Sequence, residues 1–439
     1  MPTLQTAPHS RNHLALQFQQ IRKQTEVLAK PLSAEDCQLQ SMPDASHTKW
    51  HLAHLTWFFE TFVLETYERN FKAFDPSFRV LFNSYYNGIG DKHPRAQRGL
   101  ISRPTLAEVM TYRQAVDVRV LAVLGEHPHD DALAQLITLG LQHEQQHQEL
   151  LLTDIKHALS MNPATSATLA YAKRWPLSSI APQPMTWHGY EGGLVEHGFD
   201  AAQDGFAFDN ETPRHLVYVA PFELASRLVT NGDYLAFMAD DGYQRAELWL
   251  SLGWDWVQSG QHALPLYWQT SPSAHSGYEN FTLQGTVDVD PNTPACHLNY
   301  FEADAFARWS ASRWSGARLP TEFEWELAAS QIKTPPTGNF VESAAYHPMP
   351  LQHARSDSPS QMFGDVWEWT QSSYNSYPGY KPWEGLVGEY NGKFMCNQFV
   401  LRGGSCATPH SHMRTTYRNF FPPDARWQFS GLRLARDVA

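Results

Sequence analysis

Cysteine is scarce in this chain. Four residues, Cys37, Cys296, Cys396 and Cys406, are spread over 439 positions with no CxxC pair. That excludes a disulfide scaffold and a cysteine-only zinc site. No stretch of about 18 apolar residues exists, so no membrane-spanning helix is expected. The first residues, MPTLQTAPHSRNHLALQ, lack a basic segment followed by an apolar one, and no secretory signal is expected. No Lys/Arg run approaches a nucleic-acid footprint. With 33 basic against 45 acidic residues the net charge is −12, which argues against polyanionic partners. These absences predict a cytoplasmic chain whose partners are small molecules, neither nucleic acid nor membrane. Its length is too great for one ordinary domain and suits two.

What the chain has in quantity is histidine, with 21 residues, and aromatic rings, at 13% with 15 Trp. Imidazoles suit metal binding and proton transfer. Excess Trp and Tyr can build an apolar core or line a pocket for a cationic ligand.

Residues 1–165 read as a four-helix bundle. The spacing predicts a leading helix near 11–30, and a second across SHTKWHLAHLTWFFETFVLETYE that sets His47, His51, His54 and Phe58 near one stripe. A third helix opens at Pro104 and Thr105, where the start signals are right, and a fourth runs from about Asp131 to Ser160. Between the second and third lies FNSYYNGIGDKHPRAQRGLISRP, long for a bundle loop, and such loops are often functional. Residues 166–185 read as a linker rich in Pro, Ser and Ala. From 186 to 439 the texture is that of a loop-rich α+β domain, interrupted by the helix YFEADAFARWSASRWSG.

The strongest chemical feature is His143-Glu144-Gln145-Gln146-His147. On a helix, positions i and i+4 share a face roughly 5–6 Å apart, so two imidazoles can hold one metal. Leu136, Gly140, Leu150 and Asp154 fall on the same stripe, which turns both histidines into the bundle. The plainer alternative is a pair of surface or capped core histidines. HEQQH also matches the HExxH pattern of zinc proteases, with Glu144 as base. The chain continues with Gln148-Glu149-Leu150-Leu151 and supplies no HxxGxxH continuation. A third ligand has two sources in WHLAH, His51 and His54, and spacing does not choose between them. Imidazole ligands do not choose the metal either.

Together WHLAHLTWFFE, HEQQHQELLL, SGARLPTEFEWELAA, GDVWEWT, LRGGSCATP and YRNFFPPDARWQFSGLRLAR resemble the ergothioneine-biosynthesis sulfoxide synthases, the EgtB family, over about residues 40 to 439. The resemblance implies a DinB-like four-helix bundle followed by a C-type-lectin-like domain of the formylglycine-generating-enzyme type. It implies iron(II) held by His54, His143 and His147, with O2 as co-substrate. The implied reaction joins a thiol to C2 of the imidazole of hercynine, N-trimethylated histidine, as a sulfoxide.

The same resemblance places Gln146, Asn419 and Phe420 against hercynine. It draws Tyr85 and Tyr86 of FNSYYNGIG into catalysis, since a phenol beside an oxygen-activating metal can give a proton. Arg95 and Arg98 suit a substrate carboxylate better than Arg103 does, because guanidinium forks bind carboxylates bidentately. The catalytic tyrosines lie in the bundle loop in the cysteine-using branch. The γ-glutamylcysteine branch has its tyrosine in a C-terminal segment that differs here, and an acidic residue at the position of Phe421. Cysteine is therefore the expected sulfur donor. Cys406-Ala407-Thr408-Pro409 lacks the second cysteine of true formylglycine-generating enzymes, so protein cysteine oxidation is not expected.

Rival readings are selenoneine synthase with a selenosugar donor, the γ-glutamylcysteine branch, and the ovothiol branch, whose members usually carry a further methyltransferase domain after the point where this chain stops. Outside the chemistry stand an oxygen-independent thiol transferase and a ligand-binding module without iron. The resemblance also predicts that Asn419 and Phe420 complete the hercynine site. The isolated residues 1–165 are then expected to bind hercynine more weakly than the full chain in calorimetric titration, and equal affinity would remove that expectation.

Overall fold

A computed structural model describes residues 11–162, 171, 183–203, 205–332 and 336–438. Most of the expected linker, 166–185, lies outside the described residues. The chain forms two compact units. The first takes the described residues of Met1–Ala164 together with Ala201–Phe206 and Pro382–Tyr390; the second takes the remainder.

The first unit is an antiparallel bundle of α1 (Arg11–Ala29), α2 (Thr48–Phe58), α3 (Leu106–Glu126) and α4 (Asp131–Ser160). Helix α1 packs on α3 and α4, and α2 packs on α3 and α4. The helix starts follow their side chains. His47 caps α2 by accepting the Trp50 N–H at Nδ1 over 3.0 Å. Thr105 and Glu108 form a capping box on α3, and Asp130 caps α4 through the Leu133 N–H. Every residue of α2 is buried, including Lys49, His51 and His54, so each polar group there needs a partner. Lys49 donates to the Ile101 carbonyl at 2.9 Å.

Helix α2 runs on into a π-helical stretch, Phe59–Leu64. Opposite it sits Gly140 of α4, where a Cβ would fall 2.6 Å from Cε1 of Phe59 and 2.9 Å from Cε1 of Phe58. The missing side chain is what lets α4 lie close against those rings.

The rotation of α4 is set by Glu144, which lies in the bundle interior with no exposed surface. It accepts hydrogen bonds from Arg22 Nη1 at 2.9 Å and Thr25 Oγ1 at 2.6 Å on α1, and from Arg113 Nη2 on α3. Arg22 also reaches Asp117 of α3 and Thr56 of α2, so one guanidinium touches all three other helices. Burial alone would raise the Glu144 carboxyl. Arg113 and Arg22 outweigh it and hold the group down at about 2, from an ordinary 4.5.

The second unit carries strands β1 (Trp187–Tyr190), β2 (Gly193–His197), β3 (His215–Val219), β4 (Phe222–Ala225), β5 (Trp268–Thr270), β6 (Tyr278–Thr282), β7 (Gly285–Asp288), β8 (Trp367–Ser373), β9 (Phe399–Arg402), β10 (Asn419–Phe421), β11 (Ser430–Gly431) and β12 (Ala435–Asp437). They form small sheets in the orders β1-β4-β12, β10-β9-β8-β11, β2-β3 and β5-β6-β7. The conspicuous motifs of the sequence are the core of this unit. Glu368 of GDVWEWT accepts Trp325 Nε1 and Arg433 Nε, each at 2.9 Å. Glu322 accepts Arg418 Nε at 2.8 Å, and Glu326 pairs with Arg402 of LRGG. Among the described residues no disulfide joins the four cysteines, and Cys406 is fully buried. Among the described residues no helix is long and apolar enough to cross a membrane.

Removing one partner of a buried ion network costs about 3–5 kcal/mol. Glu144→Gln is expected to lose that much in chemical denaturation. Because the folded Glu144 titrates below its unfolded value, its contribution is complete above pH 4.5 and lost as the pH falls towards 2. The gap between wild type and variant should therefore close across that range.

Candidate metal centre

Three histidines of the bundle come together. One ring nitrogen from each of His54, His143 and His147 lies within 4.8 Å of the others, and all three residues are buried. Ring centroids are separated by 5.1 Å for His54 and His143, 4.9 Å for His54 and His147, and 4.6 Å for His143 and His147.

Each ring is held differently. His54 is fully buried, and its Nδ1 donates to the Phe82 carbonyl at 2.6 Å. A carbonyl only accepts, so the proton sits on Nδ1 and Nε2 keeps a bare lone pair that no group among the described residues takes up. Trp50 and Trp57 stack on the His54 ring, with centroids at 4.5 and 5.5 Å. His147 places Nδ1 2.8 Å from Nδ1 of His51. His143 has no hydrogen-bond partner at either ring nitrogen among the described residues.

Burying such a nitrogen unpaired costs free energy, and a metal ion in the cluster removes that cost. Burial holds the His143 imidazole at about 3. Burial first, then the neighbouring imidazoles, hold His54 and His147 well below 6.5. All three are therefore neutral near pH 7 and can donate lone pairs. Three neutral imidazoles leave a divalent ion its full charge and open positions. Glu144, one residue beyond His143 and about 100° round the helix, points away into its arginines. It is not poised as the base that an HExxH protease requires.

The comparisons with known proteins fit this layout. The DinB superfamily model matches residues 17–151, and the sulfatase-modifying factor enzyme 1-like domain model matches 189–438. A protein of Mycobacterium tuberculosis named hercynine oxygenase is 31% identical over 451 residues, covering 98% of this chain and 100% of the relative. The hercynine oxygenase of Mycolicibacterium thermoresistibile is also 31% identical, over 98% of this chain and 96% of its own. The formylglycine-generating enzyme of Streptomyces coelicolor is 28% identical over 54% of this chain.

The chain belongs to the ergothioneine-biosynthesis sulfoxide synthase family. The expected order of a DinB-like bundle and a formylglycine-generating-enzyme-like domain is what the two family models match.

Within this member of the family, the FNSYY loop is folded by Asn83. Its side chain accepts the Tyr86 N–H at 3.2 Å and donates to the Tyr86 carbonyl at 3.0 Å. Tyr86 is thereby buried against Trp57 and Phe62, with Tyr85 stacked on it at 4.8 Å. Burial, then Tyr85, pushes the Tyr86 hydroxyl well above its ordinary value, so it keeps its proton.

A third tyrosine, missed from the sequence, joins them. Tyr390 sets its ring edge-on to His143 at 5.6 Å and lies 6.1 Å from Tyr85. Its hydroxyl donates to Oε1 of Gln146. The neighbouring Glu389 accepts the backbone N–H groups of Asn87 and Gly88, which anchors the segment on the tyrosine loop. Nothing local in GEYNGKF signals this. No local pattern around Trp50, Trp57 or Phe82 marks them either.

Arg98 is buried, bonded to Ser46 and Ser84 at 2.8 and 3.0 Å, with its guanidinium 3.5 Å from the Trp50 ring centroid. Burial, then Arg95, lowers it to about 9. Arg95 is exposed and donates to the Asp44 carbonyl. In the second unit, Asn419 Oδ1 accepts its neighbour's Phe420 N–H at 2.9 Å, and the Phe420 ring stacks on Tyr374 at 4.0 Å.

Replacing His54, His143 or His147 with Ala should remove most bound metal, while His51→Ala should lose less. Elemental analysis of the purified variants measures this, and full occupancy in the His54 variant would sink the ligand set.

Proposed function

We propose that this chain is a non-haem iron(II), O2-dependent hercynine sulfoxide synthase that uses a small thiol, cysteine first, as sulfur donor. The observation that carries the reading is the buried three-imidazole cluster with unpartnered lone pairs, in a chain of this family. The C2–H and S–H bonds break, C–S and S–O bonds form, and the second oxygen atom leaves as water.

Iron(II), when bound by the three histidines, supplies the activation of O2. The chain's own residues do the rest. Trp50 and Trp57 keep water from the His54 side of the cluster. Tyr86 and Tyr85, with Tyr390 beside His143, are neutral phenols that can give a proton without adding charge to a dry site. Gln146 offers an amide to hercynine. Arg98 has no carboxylate partner among the described residues, so its guanidinium suits a substrate carboxylate, with Arg95 as the outer candidate. Asn419 and Phe420 are assigned to hercynine on the family resemblance alone.

One observation favours a second donor. The γ-glutamylcysteine branch has its tyrosine in a C-terminal segment, and Tyr390, from the C-terminal half of this chain, lies edge-on to His143. γ-Glutamylcysteine is therefore the runner-up, with a selenosugar and the ovothiol reaction behind it.

The deciding assay loads iron anaerobically, adds hercynine and O2, and compares cysteine, γ-glutamylcysteine and a selenosugar by product mass. A hercynyl-cysteine sulfoxide is expected; no C–S product with any donor would end the reading. Tyr85→Phe, Tyr86→Phe and Tyr390→Phe should retain metal but shift product from sulfoxide towards the thiol's sulfinic acid. An unchanged ratio in all three and in their combination would leave the tyrosines with packing only.

A further inference from the structure

Behind the cluster, three buried side chains stand in series. Asp154 is 6% exposed, His51 2% and His147 8%, so bulk water does not set the positions of their protons. Asp154 Oδ2 accepts the Ser46 backbone N–H at 2.7 Å and lies 3.1 Å from His51 Nε2. His51 Nδ1 in turn lies 2.8 Å from His147 Nδ1.

The order of protons follows by counting. A carboxylate oxygen that already accepts a backbone N–H can only accept from His51, so Nε2 of His51 carries hydrogen. If His51 holds a single N–H, that hydrogen is on Nε2 and its Nδ1 is bare. The contact between the two Nδ1 atoms needs one hydrogen, and it must then belong to His147. That leaves Nε2 of His147 as the lone pair.

We propose that Asp154 is a positioning residue which, through His51, fixes the tautomer of His147 so that Nε2 faces the metal. This rests on the metal reading given above. The device parallels the Phe82 carbonyl on His54, but here a side chain two helical turns along α4 acts through a residue of α2. His143 has no such partner among the described residues, so two of the three ligand rings are set before any ion arrives. Such partners behind a ligand are worth about 10- to 100-fold in metal affinity.

The test uses the full-length chain as wild type, Asp154→Leu, Asp154→Asn and His51→Phe. Cobalt(II) affinity is read by chelator competition and visible absorption, and imidazole tautomers in the metal-free protein by ¹⁵N NMR. His147 should carry hydrogen on Nδ1. Asp154→Leu and His51→Phe should bind cobalt roughly 10- to 100-fold more weakly, with altered spectra. Asp154→Asn keeps an accepting oxygen and should stay close to wild type. Equal affinity in wild type and Asp154→Leu, an asparagine variant as weak as leucine, or hydrogen on Nε2 of His147 would each overturn the proposal. If Asp154→Leu does not fold, the asparagine variant and the wild-type tautomer decide. If wild type binds no cobalt, the metal reading falls, while the tautomer still judges the relay.

Discussion

Much in the first unit depends on the burial of the Glu144 carboxylate between Arg22 and Arg113. That ion network sits where water cannot screen it, so the rotation of α4 is held by charges with few alternative partners. A helix advances about 100° per residue, so pinning Glu144 to one side turns His143 and His147 to another. The three-imidazole cluster is thus aimed by a group that takes no part in it. Arg22, which also touches α2 and α3, makes the aim a property of the whole bundle.

The same device recurs in the second unit, where Glu322, Glu326 and Glu368 are each joined to a buried arginine. These lie in the motifs that look most chemical in the sequence. Their role is to satisfy one another inside a domain with short strands and many loops. Small sheets leave many irregular segments to be tied down, and buried arginine forks do this by bonding several carbonyls at once. Trp325 and Trp369 belong to the same pattern, each donating its indole N–H to a buried acceptor.

A substantial part of the candidate site was legible. The i, i+4 spacing of His143 and His147 is a helical statement, and helix periodicity survives any tertiary context. The helix start at Thr105 was legible for the same reason, because a cap acts within four residues. WHLAH narrowed the third imidazole of the cluster to two residues, but periodicity could not separate them. His51 and His54 are both buried and both turned towards α4; only their partners differ. Phe82 sets the lone pair of His54 towards the cluster, whereas Asp154 and His147 occupy both nitrogens of His51.

The sequence by itself determined the helices, their caps and the pair of imidazoles on one face, because those depend on neighbours within a turn or two. Tertiary structure alone decided which way Glu144 points, which nitrogen of His54 is bare, and that Tyr390 meets His143 across 247 positions of chain. Contacts of that kind are made by packing between distant segments, and no local pattern of residues encodes them.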